Sequence, residues 1–422
     1  MNGADIIDRS NSVPYIFYIK GKFRSHAEEE PMKQKASIST VRDIMLEFAD
    51  ATGLTSDAKP PRRYLWTDAF AVCNFLELYR QTNDESYKHL ALDLVDQVHG
   101  LLGRFRADDG RSGWIGGLDD REWALHPTAG GLRIGKGMNE RKPSDPFDER
   151  LEWDRDGQYY HYLTKWMHAL SRVGRITGET IYTRWAVELA KTAHARFTYR
   201  PYPGARKRMY WKMSIDLSRP LVPSMGQHDP LDGLITCCEL RAALRREPQR
   251  PEGLDLDAET ADLSAMCEGR DWATDDPLGL GGLLSDAYRV GQLILDGPFE
   301  QGALLGDLLS SSLAGLDAFA GKDPFALPAH YRLAFREFGL SIGLRAVGKL
   351  KDVMEEYPRS FGDPRRLGPA IAALMRYRPI VESIETFWLE SANRESDTWQ
   401  DHRDINMVML ATSLAPEGFL SL

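Results

Sequence analysis

Apolar residues recur in this chain at helical spacing, in two patterns that take turns. Between residues 84 and 102, Tyr87, Leu90, Ala91, Leu94, Val95, Val98, Leu101 and Leu102 lie three or four apart, with Lys88, Asp93 and Asp96 between them. That spacing predicts a helix wetted along one side. The stretch before it, Leu65 to Tyr79, is apolar nearly all round, with Trp66, Ala69, Phe70, Val72, Cys73, Phe75, Leu76 and Leu78. Such a helix is enclosed on most sides. The pair then repeats: Thr177, Tyr182, Ala186, Leu189 and His194 match Thr82, Tyr87, Ala91, Leu94 and His99 without a gap. In this second copy the enclosed helix is Tyr159 to Val173 and the amphipathic one Ile181 to Phe197.

Looser copies follow. Asp229–Leu244 pairs with Leu254–Cys267, Leu278–Leu295 with Phe299–Phe319, and Tyr331–Met354 with Leu367–Leu389, while the apolar Ile405–Leu414 has no partner after it. Its partner lies at the other end, where Val41, Ile44, Met45, Phe48 and Ala49 make residues 39–52 amphipathic. Joining first to last gives six enclosed and six amphipathic helices. Each enclosed helix must be buried against two neighbours, which predicts an all-α (α/α)6 barrel, a toroid of six helical hairpins. An open helical solenoid is the alternative, and would need polar caps at its ends. Residues 39–422 then form a single domain. Residues 1–38, with charge clusters Lys20, Lys22, Arg24 and Glu28 to Glu30 and no helical period, read as a mobile arm.

Two connections, 104–156 and 198–228, are too long for hairpin turns, and long connections in a compact domain are usually functional or disordered. The first carries Trp114 and the run His126 to Gly131; the second carries Trp211, Gln227, His228 and Asp229. Both lead from an amphipathic helix into the next enclosed one, so both fall at the mouth formed by the enclosed helices' N-termini. Polar residues gather there in five segments: Arg63, Tyr64, Trp66 and Asp68; Glu152, Trp153, Asp154, Asp156 and His161; His228, Asp229 and Asp232; His330, Arg332 and Glu337; Asp401, His402, Asp404 and Asn406. Some of these acids have an ordinary task, since Asp and Asn at helix starts cap free N–H groups. Asp68 and His161 lie inside apolar helices, where a polar side chain needs a partner. His168, deeper along its helix, reads as a buried hydrogen-bonded residue.

The composition, 42% hydrophobic and 27% charged over 422 residues, supplies ample core. A formal charge of -9 works against nucleic acid or an anionic membrane as partner. Cys73, Cys237, Cys238 and Cys267 show no CxxC spacing, so they read as reduced, buried thiols and no metal site is expected. Val13 to Ile19 is too short to span a bilayer, and the expected compartment is the cytoplasm. P-loop, GxSxG, GxGxxG and HExxH motifs are absent, so no cofactor is expected.

This inventory suits sugar chemistry on a small carbohydrate or oligosaccharide. Glycoside hydrolysis needs one carboxyl to protonate the leaving oxygen and another to activate water or attack the ring. Asp68 with Glu152 or Asp154 supplies candidates, with Asp229 and Asp404 nearby in the same set. His161, His228 and His402 would position the sugar or share the proton transfer. Arg63, Tyr64, Trp66, Trp114, His126, Trp153, Trp211, Gln227, His330, Arg332 and Trp399 are the candidates for binding, the tryptophans as flat stacking faces. Epimerisation or isomerisation is the alternative. It needs bases that work near neutral pH, which a histidine pair provides. A noncatalytic helical binding module is the third reading, against which the charged mouth argues.

The hairpins Tyr79–Val98 and Val173–Ala193, with the turn Thr177-Gly178-Glu179 and the Tyr, Ala, Leu spacing after it, resemble the six-hairpin glycosidase-like superfamily across residues 39–415. That superfamily includes glycoside hydrolases and the N-acylglucosamine 2-epimerase group. The stretch Trp166 to Leu170 resembles a Met-His segment of the epimerase group, without that segment's upstream asparagine or downstream glutamate. The resemblance implies an active site at the N-termini of the enclosed helices.

Overall fold

The computed structural model describes residues 29–56, 58–247, 253–297, 299, 303–361 and 364–422. The helices that build the fold belong to the unit Ser37–Leu422. Residues 1–28, most of the segment read as an arm, lie outside the described residues.

In chain order the helices are α1 (Glu29–Ala51), α2 (Leu65–Thr82), α3 (Glu85–Leu102), the short α4 (Asp120–Leu125) and α5 (Glu149–Asp154), α6 (Tyr160–Thr177), α7 (Thr180–Phe197), α8 (Asp229–Arg246) and α9 (Asp257–Cys267). They continue with α10 (Pro277–Asp296), α11 (Leu304–Ala320), α12 (Ala334–Glu356), α13 (Pro364–Met375), α14 (Pro379–Leu389), the short α15 (Ser391–Arg394) and α16 (Asp397–Gln400), α17 (Arg403–Leu414) and α18 (Glu417–Leu420). Helix α2 packs on α6, α6 on α8, α8 on α10, α10 on α12, α12 on α17, and α17 back on α2. That closed circuit of six inner helices makes the fold an (α/α)6 toroid, and α3, α7, α9, α11 and the α13–α14 pair back the inner helices from outside.

The sequence patterns explain this division. Every residue of α2 from Leu65 to Leu78 is buried, whereas α3 buries one face, including Tyr87, Ala91, Leu94, Val95 and Val98. The repeated hairpin turn has a stop signal in each copy. Asn83 (φ 56°) ends α2 and Gly178 (φ 78°) ends α6, both left-handed, as helix C-termini favour. The stretch Leu367–Leu389 is two helices rather than one. Pro379 lacks the N–H that a continuous helix would use, so the chain turns at residues 376–378 and restarts.

Buried Asn74 closes the ring. Its amide donates to Met45 Sδ of α1 (3.5 Å) and to Val408 O of α17 (3.1 Å), and it accepts from Thr412 Oγ1 (3.0 Å). Contacts between helix starts then run round the mouth: Tyr64 to Tyr162, His161 to Asp229, Arg336 to Asp276, Phe335 N–H to Asn406, and Arg62 to Asp404. At the other end the lumen is stoppered by α18. Phe419 stacks on Phe70 at 4.1 Å, and its carbonyl oxygen lies 2.8 Å from His168 Nε2.

The two long connections are ordered and joined. Strand β1 (Gln158–Tyr159) pairs antiparallel with β4 (Lys212–Met213), which pairs with β5 (Pro220–Val222); β2 (Thr198–Tyr199) and β3 (Arg208–Met209) form a separate small hairpin. Buried Lys212 donates to the carbonyls of Glu152 (2.5 Å) and Arg155 (2.8 Å), fastening one connection to the other. No helix among the described residues is long and apolar enough to cross a membrane.

Candidate functional site

The β1–β4 pairing has a consequence at the mouth: it brings Trp211 against the start of α6. Trp211 lies 5.3 Å from Tyr159 and 5.0 Å from Trp153, and stands nearly parallel to His161 at 6.4 Å. Tyr162 packs edge-on to His161 at 4.9 Å, and its hydroxyl meets that of Tyr64 at 2.7 Å. Trp66 sits on α2, 4.4 Å from Phe70, which continues the wall down to Phe419. The result is an aromatic collar around one imidazole.

His161 Nδ1 lies 3.5 Å from Asp229 Oδ1. Neither that nitrogen nor Asp229 Oδ2 has a hydrogen-bond partner among the described residues, which is costly for buried polar atoms without a reason. One turn below, Lys165 Nζ binds Asp232 Oδ1 at 2.8 Å, and Asp232 in turn neighbours Asp286 of α10. Side-chain accessibility falls from 27% at His161 to 13% at Lys165 and 5% at Asp286, so the column opens only toward the mouth.

The charges follow from burial. Desolvation lowers His161 to about 4, so its imidazole is neutral near pH 7. Desolvation, then the adjacent Asp232, raises Asp229 to about 8, and the carboxyl stays protonated. Asp286 is pushed up to about 7 by burial and by Asp232, whereas Lys165 holds Asp232 itself below the ordinary carboxylate range. A neutral base and a neutral acid therefore face each other, above an ionised Lys–Asp pair. Such a pair can remove a proton from a carbon acid while donating one to the adjacent carbonyl oxygen.

Of the residues singled out in the sequence, the structure gathers Tyr64, Trp153, His161, Trp211 and Asp229 around this column, while Trp66 is buried on Phe70. Others are committed elsewhere. Asp68 forms a buried ion pair with Arg63 (3.5 Å) and accepts from the Tyr64 N–H (2.8 Å), which holds the start of α2. Arg63 also donates to Thr52 O at 2.6 Å. Glu152 is buried against Arg141 (3.0 Å), while Asp154 faces solvent. Gln227 and His228 tie the loop before α8 to carbonyls of residues 271–273. Asp404 pairs with Arg62 at 3.2 Å, and His402 is exposed on Thr398 O beside Phe335.

The remaining candidates belong to packing. Trp114 stacks on Trp123 at 3.7 Å with its Nε1 on Asp120. His126 binds Glu188 of outer helix α7 at 2.7 Å. His330 is exposed beside Tyr331. Arg332 holds Glu337 through two bonds, at 2.8 and 2.7 Å, under the Phe387 ring. Trp399 is buried between Trp388 and Phe338. His168 is, as expected, a buried and bonded residue, with Nδ1 on Glu239 at 2.8 Å.

Lys165, Tyr162 and Asp286 are site residues that the sequence reading missed. Lys165 had a signal, since it follows His161 by one helical turn on the same face. Asp286 had none beyond being an acid in an apolar helix. Among the described residues no group of His, Cys, Asp and Glu is arranged to hold a metal ion.

No family model and no curated protein sequence matches the chain. Among solved structures it is similar to the cellobiose 2-epimerase of Spirochaeta thermophila, at 11% identity over 93% of this chain and 99% of that one, with a TM-score of 0.47. It is also similar to a D-mannose isomerase (13% identity, 82% and 88% covered, TM-score 0.44). A third likeness is to the cellobiose 2-epimerase of Bacillus thermoamylovorans (10%, 84% and 88%, 0.43). The toroid itself rests on this chain's own helix packing.

Proposed function

We propose that this protein is a carbohydrate-active enzyme that moves a proton along the carbon skeleton of a reducing sugar, as an epimerase or isomerase, with His161 as base and Asp229 as acid. The observation that carries the proposal is their pairing at 3.5 Å, each with an unpartnered atom, at the floor of an aromatic mouth. In the forward step, the lone pair on His161 takes the proton from the carbon beside the sugar's open-chain carbonyl. Asp229 gives its proton to the carbonyl oxygen, and an enediol results. Protonated His161 then returns its proton: to the former carbonyl carbon it gives the ketose, and to the same carbon, once the enediol has turned its other face to the imidazole, it gives the epimer. Asp229 recovers its proton from the enediol hydroxyl. Lys165 offers positive charge to the oxygen-rich intermediate, and Trp211 and Trp153 offer faces for sugar rings.

Hydrolysis is the second reading. The Asp68–Glu152 pair proposed for it has both members in structural ion pairs. Asp229 and Asp232 favour it instead, as one protonated and one ionised carboxyl on the same helix turn. The test is incubation with a panel of reducing mono- and disaccharides followed by chromatography. The proposal expects an isomer of unchanged mass, and a His161→Gln variant slowed by about 10²- to 10⁴-fold. Shorter saccharides appearing instead would favour hydrolysis, and no change in any sugar would remove both readings.

A further inference from the structure

At the end of the toroid opposite the mouth, a cleft of about 650 Å³ opens between the C-terminal turns of α6, α8 and α10 and the start of α7. It shares no residue with the aromatic collar; Arg175 follows His161 by fourteen positions, or about 20 Å along α6. Its volume is that of a small-molecule site.

The cleft's charges are unevenly matched. Asp296 takes both Arg245 (2.9 Å) and Arg246, and Glu239 is held by His168. Two groups are left over. Arg175 has no ion pair or hydrogen bond among the described residues, and the charges acting on it most strongly are those of Arg246 and Arg172, which repel it. Glu247 is the reverse case. Only 6% of its side chain is accessible, yet among the described residues neither carboxyl oxygen has a hydrogen-bond partner, and Arg184 Nε lies 3.9 Å away. A buried carboxylate without donors is unfavourable unless something completes it. No ion pair joins Arg175 to Glu247, although both line the cleft.

We propose that this cleft is a second ligand site, separate from the mouth, that takes a small amino-acid-like zwitterion whose anionic end pairs with Arg175 and whose ammonium donates to Glu247. A lone anion would leave buried Glu247 unsatisfied, and exposed Arg175 at the cleft's edge gives the other end of a zwitterion a partner. The inference does not depend on the sugar chemistry assigned to the mouth.

Calorimetric titration of the full-length protein tests it, with glycine, 4-aminobutyrate and 6-aminohexanoate as zwitterions of graded length, and acetate and propylamine as single-charge controls. At least one zwitterion should bind, and both controls should bind at least about tenfold more weakly. Arg175→Gln and Glu247→Gln should each weaken that zwitterion by about tenfold or more, with unfolding midpoints of the ligand-free variants close to the parent's. Asp229→Asn, at the mouth, should leave the affinity unchanged. Silence from all three zwitterions, binding that survives either cleft substitution, equal binding of one control, or loss of binding in Asp229→Asn would each overturn the proposal.

Discussion

Gly281 and Gly282 are neighbours in helix α10, and replacing each with alanine should move stability in opposite directions. A Cβ at Gly281 would lie 1.9 Å from the Gly339 carbonyl oxygen and 2.2 Å from its carbon, both backbone atoms of α12. The contact is mutual, for a Cβ at Gly343 would stand 2.7 Å from Gly281 Cα. At this crossing the backbones of two inner helices touch. Restoring an ordinary carbon–oxygen separation requires about 1.5 Å of movement, which would loosen the packing of Leu284, Leu340 and Leu344 around it. Overpacking of that kind costs about 1–3 kcal/mol or more. Alanine in a helix interior returns about 1 kcal/mol relative to glycine. Gly282 receives only the second effect, because a Cβ there meets nothing within 4 Å. Gly282→Ala should therefore gain about 0.5–1 kcal/mol and Gly281→Ala should lose up to about 2 kcal/mol net, read as urea midpoints at equal m-value. Equal stabilities, or a Gly281→Ala variant the more stable of the two, would refute the close crossing of α10 and α12.

The same geometry sets other outcomes. Asp68→Ala strands the buried Arg63 and should cost about 3–5 kcal/mol of stability, while Asp68→Asn, which still accepts from the Tyr64 N–H, should cost less and retain sugar turnover; chemical denaturation and an activity assay check both. Asp229 is held near 8 in the folded state against about 3.9 unfolded. The folded chain thus binds the extra proton between those values, and the stability this group contributes, complete below about pH 4, is lost as pH rises through 8. Asp229→Asn removes the titration, so its stability relative to the parent should climb with pH across that window by up to about 1.4 kcal/mol per unit, then level off. Denaturant midpoints at a series of pH values would show it. Trp211→Ala should raise KM for a bound sugar about tenfold with a smaller effect on kcat, since it removes a stacking face and no proton-transfer group.

How far the sequence could be read depended on whether a signal was periodic. Helices and their alternation were legible because each inner helix repeats its apolar positions over three or more turns, and the two copies of the Thr177 hairpin pattern agree position by position. The site was harder. Sequence places Asp68, Asp154, Asp229 and Asp404 alike near helix starts, yet only neighbours in space decide which acid is consumed. Arg63 takes Asp68 and Arg62 takes Asp404, both from the chain just before α2. Tryptophans divide the same way. Trp399 lies between Trp388 and Phe338 in the core, whereas a two-residue strand pairing, too short to leave a periodic trace, delivers Trp211 to His161. Asp286 depended on the ring closing, which brings α10 beside α8.

Whether His161 moves a proton on and off a sugar carbon is tested most directly by proton NMR of a reducing sugar turned over in deuterium oxide, followed at the carbon beside the carbonyl. Deuterium should enter that position as the epimer or ketose accumulates, and His161→Gln should abolish both while remaining folded. Turnover without deuterium at that carbon, or incorporation undiminished in His161→Gln, would contradict that role.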